Sequence, residues 1–326
     1  MYPSWQTELA HAYTNPRALL EYLQLDATQF PQLAAAAATF PFKVTQTYAE
    51  QMRKGDPGDP LLRQVLPRAE ELRAVPGFGL DPVGDLAAAA APGLLHKYRG
   101  RALLVTTGAC AIHCRYCFRR DFPYDEQQLA RRRESAALAA IAGDPGISEV
   151  ILSGGDPLTL GDERLGQLIR AIAEIPQIRR LRLHTRIPVV LPSRLTQALL
   201  DNLTESRLGI VVVIHANHPR ELGSATRAGL AVLSGRGFLL LNQSVLLRGI
   251  NDDADTLAQL SETLADAGTL PYYLHLLDRA RGTAHFEVEE NRALELMESL
   301  RARLPGYLVP RLVREVAGEA CKRPVG

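Results

Sequence analysis

From residue 101 onward the chain repeats one rhythm: a short, nearly continuous apolar run with β-prone residues, then a stretch with helical spacing. The runs are ALLVTT (102–107), EVILSGG (149–155), RLRLHT (180–185), GIVVVIH (209–215), FLLLNQSVL (238–246) and YYLHLL (272–277). Amphipathic segments such as ERLGQLIRAIAEI and DTLAQLSETLADAG lie between them. Strands that are apolar on both faces belong in a parallel sheet covered by helices, and parallel pairing requires the crossovers these segments supply. Six such units, roughly 30 to 40 residues apart, predict an α/β fold: an incomplete (β/α)6 barrel of the TIM type.

Three regions follow. Residues 1–95 read as an N-terminal helical region, with NPRALLEYLQL and YAEQMRKG in helical spacing, broken by the turn-rich GDPGDP and VPGFGLDPVGD. LAAAAAT and LAAAAAPGLL read as helix or linker. Residues 96–304 read as the barrel core, and 305–326 as a C-terminal segment. MYPSWQTELAHAY lacks the basic-then-apolar build of a signal peptide, and no apolar run is long enough to span a bilayer. A net charge of +1 provides no field for nucleic acid or an anionic membrane. Four cysteines, three of them clustered, make a poor disulfide framework. A cytoplasmic protein with neither nucleic-acid nor membrane partners is expected.

In parallel α/β folds the chemistry sits at the carboxyl ends of the strands. Here those ends carry a cysteine loop, SGGD, HTR, HANH, NQS and HLLD, one shared polar rim. Cys110, Cys114 and Cys117 stand as C-x3-C-x2-C. This spacing points to a metal or cluster. A structural zinc site needs four ligands; His113 within the loop and the distant Cys321 keep that reading open. A cubane [4Fe-4S] cluster held by three thiolates leaves one iron open to a small molecule.

The cysteine loop after a first barrel strand, with SGGDP (Ser153, Gly154, Gly155, Asp156, Pro157) after the second, resembles the radical S-adenosylmethionine (SAM) superfamily. There the open iron chelates the methionine amino and carboxylate groups, and the glycine-rich segment binds the methionine ammonium. PGLLHKYRGRALLV, CRYCFRRDFPY, ILSGGDPL, RIPVVLP, NQSVLLRGIND, PYYLHLLD, AHF and GYLVP resemble lysine 2,3-aminomutases in order and spacing, from about residue 55 to the C-terminus. Within that family the chain is most similar to the branch that makes (R)-β-lysine for modification of elongation factor P.

The resemblance implies an isomerase that uses a [4Fe-4S] cluster, SAM and pyridoxal 5′-phosphate (PLP) to convert L-α-lysine to (R)-β-lysine. Its partners are L-lysine, a one-electron donor such as flavodoxin or ferredoxin, and, functionally, elongation factor P with its β-lysine ligase. Cys110, Cys114 and Cys117 align with the cluster ligands, and Ser153, Gly154, Gly155 and Asp156 with the SAM segment. Lys322, in AGEACKRP, aligns with the PLP lysine, although the glycine run and threonine of the family pattern are missing. Arg119 aligns with the clamp on the substrate carboxylate, a role suited to a guanidinium fork. Gln243 and Lys97 align with residues at the PLP phosphate, Lys97 where longer members carry arginine. Asp278 and Glu315 align with two acids for the substrate ε-ammonium, Glu315 replacing an aspartate. His184, His215, His218, His275 and His285 read as pocket walls, and Cys321 as a passive thiol. The longer members' extra C-terminal segment, which helps them assemble, has no counterpart here, so their oligomer is not assumed. Two other readings stay open: a radical SAM enzyme that acts on another amino acid or consumes SAM, and a zinc-stabilised binding module.

Overall fold

The computed structural model describes residues 4–326; the first three residues of the stretch read for targeting lie outside the described residues. Ten strands form one sheet in chain order: β1 (Ala89–Ala91), β2 (Leu94–Tyr98), β3 (Arg101–Thr107), β4 (Glu149–Gly154), β5 (Arg180–Thr185), β6 (Gly209–Ile214), β7 (Leu239–Val245), β8 (Leu270–His275), β9 (Arg311–Arg314) and β10 (Arg323–Pro324). Pairing is parallel from β3 through β9 and antiparallel at both margins. All six expected strands are present, in a partial (β/α) barrel.

The helices between the strands bury the stripe that their spacing sets. In Asp162–Ala173 the buried apolar side chains are Leu165, Leu168, Ile169 and Ile172. A fully buried leucine or isoleucine side chain contributes about 1.5–3 kcal/mol, so this face holds the helix on the sheet. The strands alternate. Leu104, Leu152, Leu183 and Ile214 are buried on one face, whereas Leu103, Ile151, Ser153, Arg182, His184, Gln243 and Val245 line the barrel cavity on the other.

Three local expectations change. LAAAAAPGLL is neither helix nor linker but most of the β1–β2 hairpin. Pro92 disfavours helical dihedrals at Ala91, and Gly93 turns the chain at φ +86° where a side chain would strike the Leu129 backbone. YAEQMRKG gives only the end of a single turn, Gln46–Ala49. The C-terminal segment adds two strands, β9 and β10, to the sheet. Elsewhere the N-terminal region does form short helices, such as Pro16–Tyr22 and Leu33–Thr39. Among the described residues no helix is long and apolar enough to cross a membrane.

The N-terminal region is the scaffold for the loop after β3. Arg115, fully buried, donates bidentately to Glu71 and to the carbonyls of Ala36, Phe40 and Pro41. Its backbone N–H donates to Gln64 O at 2.8 Å, and that of His113 to Lys43 O at 2.9 Å.

Candidate active site

One cavity of about 1800 Å³, including its open mouth, fills the barrel at the strand ends. Cys110, Cys114, Cys117, Arg119, Lys97, Ser153, Gly154, Gly155, Asp156, Gln243, Asp278, Glu315 and Lys322 all line it. Every site residue expected from the sequence therefore meets the others here. His184, His215 and His275 line it too, whereas His218 caps the short turn Pro219–Glu221, and the exposed Cys321 lies outside the lining.

At one end stands the cysteine loop, and the glycines of SGGD explain its placement. The N–H of Gly155 donates to Thr107 O at 2.6 Å and that of Asp156 to Ala109 O at 2.7 Å. A Cβ on Gly155 would lie 2.2 Å from Ala109 O, and one on Gly154, whose φ is +128°, 2.6 Å from Thr107 O. The two loops touch because neither position carries a side chain. Burial and the neighbouring thiols Cys117 and Cys114, with Asp156, push the Cys110 thiol well up; burial and Cys114 push Cys117 up to about 11. Three half-buried thiols gathered on one loop are the donor chemistry of a site completed by cationic metal, which takes thiolates. Among the described residues no three His, Cys, Asp or Glu side chains close on a single ion. A [4Fe-4S] cluster spreads its ligands over several irons and does not need them to close on one ion.

Asp156 has a second occupation. Its carboxylate accepts from Thr185 Oγ1 at 2.7 Å and from the N–H groups of Arg186 and Leu158 at 2.7 and 3.1 Å. Burial nevertheless raises its pKa to about 6. It ties the end of β5 to the SGGD turn, which leaves backbone groups and Ser153 as the turn's more available polar atoms.

Arg119 sits two residues past the last cysteine, its guanidinium held by a residue the sequence reading missed. Asp85, only 2% exposed, accepts from Arg119 Nε at 2.6 Å and pairs with Lys97 Nζ at 2.6 Å; Ser153 Oγ lies 3.1 Å from Arg119 Nη1. Burial opposes ionisation of Asp85, but Arg119 and Lys97 outweigh it and lower its pKa. Nη2 of Arg119 has no hydrogen-bond partner among the described residues. The only hint of Asp85 in the sequence is an acid at the end of VPGFGLDPVGD, which reads as a turn.

The opposite end joins the two sheet margins. Lys97 on β2 donates to Asp85, to Glu315 Oε1 at 3.1 Å and to Val83 O at 2.8 Å, which uses all three of its protons. Glu315, just beyond β9, also accepts from Lys322 Nζ at 2.8 Å. Burial resists its charge, yet the two lysines hold its pKa down at about 2. Asp278 has no such partner: burial and the Glu315 charge raise it to about 7. The two acids read as a pair are thus electrostatically unlike. Lys322 Nζ also lies 3.2 Å from His275 Nε2; an ammonium only donates, so that nitrogen accepts.

The middle of the cavity holds unpartnered buried atoms: His184 Nε2, His215 Nε2, His275 Nδ1 and Gln243 Oε1. Burial drives the His184 and His275 pKa values well down and that of His215 to about 3, so these imidazoles are neutral at pH 7. Orphaned polar atoms in a buried cavity call for a ligand to satisfy them. Arg101 lines the same wall beside Tyr98 with no ion-pair partner among the described residues. A ring with a phosphate and a carbonyl, near Lys322, fits these donors and acceptors.

A partial barrel with three thiols on the loop after its first parallel strand defines a radical SAM enzyme, and residues 104–260 match the model of the Radical SAM superfamily. Such an enzyme uses a [4Fe-4S] cluster and SAM. The chain is 47% identical over 323 residues to the L-lysine 2,3-aminomutase of Escherichia coli (strain K12), covering 98% of this chain and 94% of that one. It is 44% identical to the protein of that name from Haemophilus influenzae, again over 98% and 94%. The Clostridium subterminale L-lysine 2,3-aminomutase is 32% identical over 98% of this chain and 77% of its own length. The chain belongs to the L-lysine 2,3-aminomutase family of isomerases.

Proposed function

We propose that this protein is a PLP-dependent radical SAM aminomutase that converts L-α-lysine to (R)-β-lysine for the modification of elongation factor P in the cytoplasm, with flavodoxin or ferredoxin as electron donor. The carrying observation is that one cavity holds the three thiols at one end and Lys322 beside two acids at the other. The working unit in this reading is the core, residues 96–304, with 1–95 buttressing the cysteine loop and 305–326 bringing Lys322 to the mouth.

When bound, the cluster with SAM supplies one-electron cleavage chemistry, and PLP the conjugated system through which an amino group migrates. Cys110, Cys114 and Cys117 hold the cluster. Ser153, Gly154, Gly155 and the turn fixed by Asp156 face the SAM. Lys322 would hold PLP; in this structure its ammonium donates to a Glu315 oxygen. Gln243 and Lys97 would serve the phosphate, Lys97 with its ammonium held in this structure by Asp85, Glu315 and Val83, and Arg101 on the same wall adds a cation with no ion-pair partner among the described residues.

Arg119 grips the substrate carboxylate through Nη2, oriented by Asp85. Asp278 and Glu315 take the ε-ammonium, which a neutral side chain cannot offer and a buried acid requires. Held at both ends, lysine cannot slide, which fixes its α and β carbons within the cavity between the cysteine loop and Lys322. The neutral histidines line the wall without competing for protons.

The experiment is anaerobic reconstitution with iron, sulfide, PLP, SAM, L-lysine and reductant. Product (R)-β-lysine in large excess over 5′-deoxyadenosine supports the reading. Equal amounts of the two would indicate consumption of SAM. A colourless, zinc-filled protein without broad absorbance near 400 nm would sink it.

A further inference from the structure

Arg186 follows β5 directly and is 5% exposed. Its Nη1 donates to Cys114 Sγ at 2.7 Å. Its Nη2 reaches Glu221 Oε2 and Gln64 Oε1, each at 2.7 Å, and Tyr48 Oη at 3.2 Å. The rings of Tyr48 and Tyr116 lie 5.3 and 5.7 Å from the guanidinium carbon. Glu221 is fully buried; its other oxygen accepts from Gln64 Nε2 and the N–H groups of Asn217 and His218. Both terminal nitrogens are therefore engaged, with only Nε lacking a partner among the described residues, and they fix a permanent cation against one thiol of the loop. None of the substrate-holding roles above uses it.

We infer that Arg186 is a positioning residue that sets the electron affinity of the iron–sulfur cluster through Cys114, and that Glu221 adjusts it in the opposite sense. This rests on Cys114 being a cluster ligand. Reduction adds an electron whose charge spreads onto the thiolate sulfurs. An N–H donor and a positive charge beside one sulfur stabilise the reduced state more than the oxidised one. Hydrogen bonds to ligand sulfur and buried charge are the means by which a protein shifts such a potential. Arg186 and Glu221 are both buried, so their charges are screened less here than at the surface. The Glu221 carboxylate, on the far side of the guanidinium, offsets part of that charge.

A merely structural Arg186, tying β5 to the N-terminal helices through Tyr48 and Gln64, would leave the potential unchanged. The test is a redox titration of the anaerobically reconstituted full chain, with dithionite and viologen mediators, read by the electron paramagnetic resonance signal of the reduced cluster. Arg186→Gln is expected to lower the midpoint by at least about 59 mV, a tenfold loss of reduced cluster at a given potential for a one-electron couple. Glu221→Gln, which leaves the guanidinium less neutralised, is expected to raise it. Midpoints equal to the parent, or shifts of both variants in the same direction, overturn the inference. If Arg186→Gln fails to hold iron, Glu221→Gln decides alone: an upward shift supports the inference and no shift overturns it. Cys114→Ala separates the premise, because full iron and an unchanged signal in that variant would remove Cys114 from the cluster and the functional reading with it.

Discussion

Replacing Asp85 by asparagine keeps the side chain's shape and removes the one charge that two buried cations share. Arg119 Nε and Lys97 Nζ each sit 2.6 Å from its oxygens. Deleting one partner of a buried ion pair costs about 3–5 kcal/mol. Asparagine keeps one oxygen for one cation and turns an amide NH2 toward the other, so about half of that cost, roughly 1.5–3 kcal/mol, is expected. Lys97 retains Glu315 and Val83, which places most of the loss on Arg119. An Arg119 free to swing no longer fixes the substrate carboxylate, and at about 1.4 kcal/mol per factor of ten kcat/KM for lysine falls about 10- to 100-fold. The assay is initial-rate kinetics of the reconstituted enzyme in a double-mutant cycle with Arg119→Lys. Coupling of at least about 1 kcal/mol is expected, because Asp85 acts through Arg119. Kinetics of Asp85→Asn within about twofold of the parent, or losses that simply add, would refute the reasoning.

The other predictions concern the acids, the loop and the scaffold. Asp278, raised by burial to about 7, carries a proton below that pH and cannot then receive an ammonium. KM for lysine should therefore rise as pH falls below 7 and level off above it, and Asp278→Asn should flatten the profile while raising KM throughout; a parent KM independent of pH would contradict this. Gly155→Ala places a methyl 2.2 Å from Ala109 O, so the cysteine loop must move and reconstituted iron per chain should fall well below the parent's. Glu71→Ala strips the buried Arg115 and Arg120 of their carboxylate; chemical unfolding should show a loss of about 3–5 kcal/mol.

The six long parallel strands are legible because each carries a near-continuous apolar run, and that pattern survives without knowledge of any partner. The β1–β2 hairpin is not: alanine is a helix former, and only the Pro92–Gly93 turn and pairing with β3 override it. β9 is four residues long and takes its pairing from β8, too little pattern to read alone. At the site, the thiols and the SGGD turn announce themselves by local spacing. Asp85, Arg101 and Arg186 do not, since their roles arise from contacts between distant segments: Arg119–Asp85 spans 34 positions, Arg186–Cys114 spans 72 and Lys97–Glu315 spans 218. Lys97 shows the limit most clearly. The resemblance puts it at the phosphate, and only the fold brings Glu315 from the far margin of the sheet to its ammonium.

The central claim is that an amino group moves between adjacent carbons of lysine held in this cavity. The direct measurement is turnover of L-lysine labelled with 15N at the α-amino group, with the product read by NMR and mass spectrometry. The account predicts β-lysine with the 15N bonded to carbon 3 and none released to solvent. Label lost as ammonia, or retained on carbon 2 of a differently modified product, would contradict it.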